Sequence, residues 1–176
     1  ACGFRKTVPW AVAVDRVAQG ELSLTRSGED RACVADIQAD ITGDIPTDND
    51  YDVIIARHII EHILDIPAVI KNWSKHLKAG GRLIIATPDE NMVSGIPLNP
   101  EHCHAFTASS LQSIIELLGF KQLSVYDPQN RVSFISVFQK QPLVSNAVYN
   151  GVGVSNGLDR MYEGDISTIP METRVI

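Results

Sequence analysis

Apolar residues fall in short runs separated by stretches with helical spacing. Tyr51-Asp-Val-Ile-Ile-Ala56 and Gly81-Arg-Leu-Ile-Ile-Ala-Thr87 are β-rich and nearly continuous, as parallel strands covered on both faces must be. Trp10-Ala-Val-Ala-Val14 is a shorter apolar run closed by Asp15, and Ala32–Ala35, ending near Asp36, is a weaker strand candidate. Between the two strong strands, Val69, Ile70, Trp73 and Leu77 share one helical face. Asp65 can accept from the free amides of the first turn, and Pro67 sits where its missing N–H costs little. Lys75 and Lys78 complement the C-terminal end of the dipole, and Gly80-Gly81 permits a left-handed exit. Strand, helix and parallel strand together predict a right-handed crossover unit.

A second helix is predicted from Thr107 as cap, through the stripe Leu111, Ile114, Ile115 and Leu118, to a stop at Gly119. Two strand-like segments follow, Lys121–Tyr126 and Val132–Phe138. Their link, Asp127-Pro-Gln-Asn130, is too short for a crossover helix, so the two strands should pair antiparallel. From residue 140 onward, Asn146, Asn150, Gly151, Gly153, Asn156 and Gly157 interrupt every periodicity. The expected organisation is one α/β domain over residues 1–139. Residues 140–176 are expected to form an arm or loop packed on it, or a partly disordered segment.

Composition narrows the function classes. The chain has 176 residues, 44% of them hydrophobic, enough for one domain with a substantial core. Fifteen Lys and Arg against twenty-one Asp and Glu give a net charge of −6, which argues against a dedicated nucleic-acid surface. No apolar run reaches membrane-span length, and no charged start followed by an apolar stretch marks a signal peptide. The three cysteines, Cys2, Cys33 and Cys103, form no CxxC pair, which favours reduced thiols and a cytoplasmic location.

Asp52-Val-Ile-Ile-Ala-Arg-His-Ile-Ile-Glu61-His62, continued by Trp73-Ser-Lys-His-Leu-Lys-Ala-Gly-Gly-Arg-Leu-Ile-Ile-Ala-Thr-Pro88, resembles the class I S-adenosylmethionine-dependent methyltransferases, in their small-molecule branch. Asn99-Pro-Glu-His-Cys-His-Ala-Phe-Thr107, with the helix ending at Phe120, is similar to that branch as well. The resemblance implies a Rossmann-like, doubly wound mixed sheet with an antiparallel hairpin at one edge, and ligands bound at the carboxyl ends of its strands. It implies S-adenosylmethionine as cofactor and a small-molecule acceptor, with no nucleic acid or membrane partner; a homo-oligomer is left open.

The family's first motif is an acidic residue and a glycine-rich turn closing strand one, and Ala1-Cys2-Gly3 corresponds to its tail, with Gly3 letting backbone approach the cofactor. Asp15, closing strand two, is placed on the ribose hydroxyls. The resemblance implies an acid on the adenine amino group, for which Asp36 and Asp40 compete. The spacing from Asp40-Ile41 to Pro46 and Tyr51-Asp52 resembles the family better, which places Asp40 there with the Ile41 amide on a ring nitrogen. Arg57 is placed beside the methionine moiety. Strand one is central in this architecture, so the resemblance implies a fragment of a longer protein. Otherwise the tail segment Leu143–Tyr149 or a neighbouring chain supplies the strand, or strands two and four pair directly.

Methyl transfer needs alignment and a proton acceptor rather than a protein nucleophile. His58, after strand four, and His102 and His104, in the loop before the second helix, are the candidate bases. His76 is expected in solvent, and His62 beside Glu61. His102-Cys103-His104 raises a metal site, but with no second ligand cluster in view no metal is expected. The competing readings are an inactive methyltransferase-like interaction module, a truncated fragment that binds cofactor weakly, and a nicotinamide oxidoreductase. The predicted hairpin disfavours the last.

Overall fold

The computed structural model describes residues 10–24, 30–48, 50–94, 99–126 and 132–142. Ala1, Cys2, Gly3 and the segment 143–176 lie outside these. The chain divides into two units, one drawn from residues up to Asp50 with Asp65–His76, the other from Tyr51–Leu64 and the chain from Leu77 on.

The first unit holds four short strands, β1 (Val14–Asp15), β2 (Leu22–Leu24), β3 (Asp30–Ala32) and β4 (Ile37–Gln38). β2 and β3 form an antiparallel hairpin, and β1 runs parallel to β4 with Val14 opposite Ile37. The run from Trp10 thus contributes only its last residue, extended by Asp15, and the Ala32–Ala35 candidate gives way to the later strand β4. The reason is local. Asp36 turns its carboxylate onto the Ala13 amide at 2.8 Å, replacing a ladder bond with a side-chain bond, and Trp10 is left 81% exposed.

Helix α1 (Ile66–Lys75) begins as its sequence requires, with the Asp65 side chain accepting from the Ala68 amide at 3.0 Å and Pro67 in the first turn. Ile66, Val69, Ile70 and Trp73 are buried. The Trp73 indole donates to the Ile41 carbonyl at 3.0 Å, and the Asn72 amide donates to the Gly43 carbonyl. These two bonds fix the loop after β4 along the helix. The helix closes at His76, earlier than the Gly80-Gly81 exit expected of it.

The second unit is a four-stranded sheet of β5 (Tyr51–Arg57), β6 (Leu77–Pro88), β7 (Phe120–Tyr126) and β8 (Ser133–Lys140), in the order β5-β6-β8-β7. β5 and β6 are parallel, while β8 runs antiparallel to both of its neighbours. The hairpin predicted from turn length is therefore present. Leu83, Ile85 and Thr87 of β6 stand opposite Phe138, Ser136 and Phe134 of β8, and all six are buried. These pairs make one fully buried face, since alternate residues of neighbouring strands point the same way. Helix α2 (Ala108–Leu117) packs on β7 and β8 and buries Leu111 and Ile115. Thr107 and Ser110 cap it reciprocally, and Gly119 ends it at φ +87°.

β5 departs from expectation. Its pattern predicts burial on both faces, yet Val53 and Ile55 are 42% and 40% exposed. Among the described residues β5 pairs with β6 alone, and β1 pairs with β4. No helix among the described residues is long and apolar enough to cross a membrane.

Candidate active site

In the first unit, two carboxylates stand at the same end of two adjacent parallel strands. Asp15 closes β1, and its Oδ1 accepts from the Val17 amide at 3.1 Å. Asp40 follows β4 by two residues, and its Oδ1 accepts from the Thr42 amide at 2.8 Å and the Thr42 hydroxyl at 2.7 Å. Those bonds, the amide first and the hydroxyl second, hold the Asp40 carboxyl below its ordinary value. Asp36, the competing residue, precedes β4 and accepts from the Ala13 amide at 2.8 Å. Ile41 is held through its carbonyl by Trp73. An open cleft of about 730 Å³ in this unit is lined by Ile37, Ile45, Pro46, Thr47 and Asp48. Its lining includes neither Asp15 nor Asp40.

The second unit gathers a polar cluster where β5 and β6 end. Arg57 closes β5 and is exposed. His58 continues the pairing, its amide donating to the Ala86 carbonyl at 2.8 Å, and adopts φ +52°. A non-glycine residue in that region costs on the order of 1 kcal/mol and persists where its surroundings hold it. Here the holding group is Glu61, which is 1% exposed and has Oε1 3.2 Å from His58 Nδ1. The fully buried Thr87 donates its hydroxyl to the second oxygen of Glu61 at 3.1 Å. Burial pushes the Glu61 carboxyl up, but the His58 hydrogen bond, its own backbone amide, the His58 charge and the Thr87 hydroxyl together bring it below its ordinary value. An ionised carboxylate only accepts, so the contact puts a proton on His58 Nδ1 and leaves Nε2 as the ring atom not engaged by Glu61.

The loop before α2 is drawn onto this cluster. The amides of Cys103 and His104 both donate to the Glu61 carbonyl, at 2.8 and 3.1 Å, and the Glu90 amide donates to the Phe106 carbonyl at 2.8 Å. His102 is buried, with its ring 4.7 Å from that of His62 and at 72° to it. His62 directs Nδ1 to the Glu101 carbonyl at 3.2 Å, and His104 places Nε2 3.4 Å from the Leu64 carbonyl. Of the three candidate bases, His58 alone combines an orienting carboxylate with a side chain 41% exposed.

Glu61 and Thr87 carry this arrangement, and neither is assigned a role by the sequence reading. The available signal is that an acid between apolar Ile60 and Ile63 is destined for burial, and a buried charge needs partners. Asp15, Asp40 and Ile41 lie in the first unit, and Arg57, His58, His102 and His104 in the second; Ala1, Cys2 and Gly3 fall outside the described residues.

Comparison with known proteins adds a family. The model of a family described as a methyltransferase domain matches residues 3–125. Phosphoethanolamine N-methyltransferase 1 of Triticum aestivum is 29% identical over 119 residues, which are 63% of this chain and 23% of that protein. A protein of Mycolicibacterium smegmatis described as a probable S-adenosylmethionine-dependent methyltransferase is 30% identical over 77 residues, 42% of this chain and 30% of its own length. The matched chain thus spans less than a third of either relative. Among solved structures, the cyclase SpnF is similar with a TM-score of 0.50 at 15% identity, covering 58% of this chain and 54% of that one. That likeness concerns the fold, which different chemistries share.

Proposed function

The chain belongs to the methyltransferase domain family, and on that premise we propose that it carries out S-adenosylmethionine-dependent methyl transfer to a small-molecule acceptor. The observation that carries the reading is the pair of acids at one end of two adjacent parallel strands, Asp15 closing β1 and Asp40 just past β4. Carboxylates at strand carboxyl ends suit the vicinal hydroxyls of a ribose and the amino group of a purine, so the donor set fits a nucleoside. Each acid gives one oxygen to a local amide, which fixes its direction before any ligand arrives. S-adenosylmethionine supplies a methyl group on a cationic sulfur.

Asp15 is the residue for the ribose, and Asp40 with the Ile41 amide for the adenine edge. Arg57 and the residues Ala1, Cys2 and Gly3 are assigned to the methionine portion. His58 takes the acceptor's proton at Nε2, with Glu61 as a positioning residue that holds the imidazole through Nδ1. The half-exposed imidazole suits an amine or hydroxyl acceptor of metabolite size.

Calorimetry with S-adenosylmethionine and its demethylated product tests the cofactor. Asp15→Ala should raise Kd about tenfold, the value of one lost charge-assisted hydrogen bond. An unchanged Kd would remove the ribose role, and an absence of heat from the parent chain at millimolar ligand would remove the cofactor. His58→Gln should leave the cofactor Kd unaltered while slowing release of S-adenosylhomocysteine with small amines and alcohols. Phosphoethanolamine, the compound named for the wheat relative, is the first acceptor to try. Equal rates in variant and parent would strike His58 from the mechanism.

A further inference from the structure

We propose that Glu61, His62 and His102 form a binding site for one divalent transition-metal ion of the zinc class. A carboxylate oxygen of Glu61 and one ring nitrogen of each histidine all lie within 4.8 Å of one another. Around a single ion with bonds of roughly 2.0–2.2 Å, tetrahedral ligand atoms stand about 3.4 Å apart. The set therefore has to close by up to about 1.4 Å. His62 is the exposed member of the set.

The surroundings are those of metal ligands. A ligating histidine needs its second nitrogen tied to an acceptor, which settles the tautomer and the ring direction. His62 Nδ1 is tied to the Glu101 carbonyl at 3.2 Å, so its lone pair sits on Nε2. A ligating carboxylate needs hydrogen bonds of its own, and Glu61 accepts from His58 on one oxygen and Thr87 on the other. Each oxygen has a second lone pair, so these bonds leave acceptor capacity for a cation. The two ligand segments are one hydrogen-bonded block. The Cys103 and His104 amides bind the Glu61 carbonyl, and the His102 amide binds the Asn99 carbonyl at 3.0 Å. Forty residues of sequence separation are thus bridged by main-chain bonds before an ion arrives.

Ligand chemistry selects the ion. Two imidazoles and one carboxylate suit zinc, cobalt or ferrous iron; calcium and magnesium demand oxygen sets. Three protein ligands leave a coordination position open for water or the oxygen of a small molecule. The site stands whether or not methyl transfer is the chain's reaction, because it is defined by binding alone.

The test is calorimetric titration of the chelator-stripped 176-residue chain with zinc chloride, with cobalt(II) absorption as a second reading. One ion per chain is expected. His62→Ala should lower the affinity at least tenfold with an unchanged circular dichroism spectrum, since His62 is exposed. Glu61→Gln should move it in the same direction. Cys103→Ser and His76→Ala should leave it unchanged, and cobalt should give d–d bands without thiolate charge transfer. Any of three results overturns the proposal: no zinc bound by the parent chain, affinity that survives His62→Ala, or affinity lost in Cys103→Ser.

Discussion

Glu61→Ala should lower the unfolding free energy by about 3 kcal/mol, read as a fall in the urea midpoint at an unchanged slope. The side chain is 1% exposed and its two oxygens serve different partners, which decides the size of the effect. On one side the Thr87 hydroxyl is fully buried, and without the carboxylate it loses the charged acceptor that its geometry serves. A buried donor left without its partner costs about 1–3 kcal/mol. On the other side His58 is 41% exposed, so water replaces much of what it loses and the ion-pair share is small. The cavity left by the missing side chain adds to the deficit. Glu61→Gln keeps the volume and one acceptor, and about half the loss is expected of it. The loop before α2 should stay docked in both variants, because it is held by the Glu61 main-chain carbonyl. A loss below about 0.5 kcal/mol for the alanine variant would show that Thr87 finds another acceptor and that the cluster is not a stability element.

How much of this was legible in the sequence follows from how local each determinant is. The caps at Asp65 and Thr107 act within three residues, and both form the bonds expected of them. The hairpin of β7 and β8 follows from a link too short for any other connection, and it is present with Phe120 opposite Lys140. The apolar run of β5 reports what a strand could bury, while its place in the sheet decides what it does bury. Among the described residues β5 has β6 on one side only, and Val53 and Ile55 keep substantial exposure. The first strand shortened because Asp36 bonds the Ala13 amide from 23 residues away, which no periodicity encodes.

The candidate site divides in the same way. Asp15 and Asp40 are legible because a strand end is a local event, and the parallel pairing of β1 with β4 aligns them. The cluster around Glu61 is not local. Glu61 and His62, the residues that stand with His102, lie forty residues upstream in the one-turn 3-10 helix Ile60–His62, out of reach of a reading of His102-Cys103-His104 alone. Their meeting depends on two amide bonds to a single carbonyl, and the residues donating them carry no signature of it. Buried acids next to histidines are therefore the feature to seek before a ligand set is judged incomplete.

The second large effect lies at the entry to β6. Gly81→Ala should cost about 2–3 kcal/mol, a fall of several degrees in Tm, and the cause is space rather than backbone freedom. A Cβ at Gly81 would stand 2.8 Å from Leu77 Cγ, 2.9 Å from Leu77 Cδ1 and 2.9 Å from the Lys78 carbonyl oxygen. Leu77 cannot step aside cheaply: it is 2% exposed, it pairs with Tyr51, and its carbonyl accepts from the Lys140 ammonium at 2.7 Å. The Lys78 carbonyl is main chain and moves only with the strand. Gly80 is the control, because its φ of +72° penalises a side chain while only Gln139 Nε2, at 3.8 Å, comes near. Gly80→Ala should therefore cost about 1 kcal/mol, the ordinary left-handed penalty. Thermal unfolding of the two variants beside the parent separates crowding from conformation. If Gly80→Ala proved the more damaging, the turn and not the Leu77 contact would be what sets the register of β6 against β5, and the irregularity between Tyr51 and Val53 would trace to Gly80.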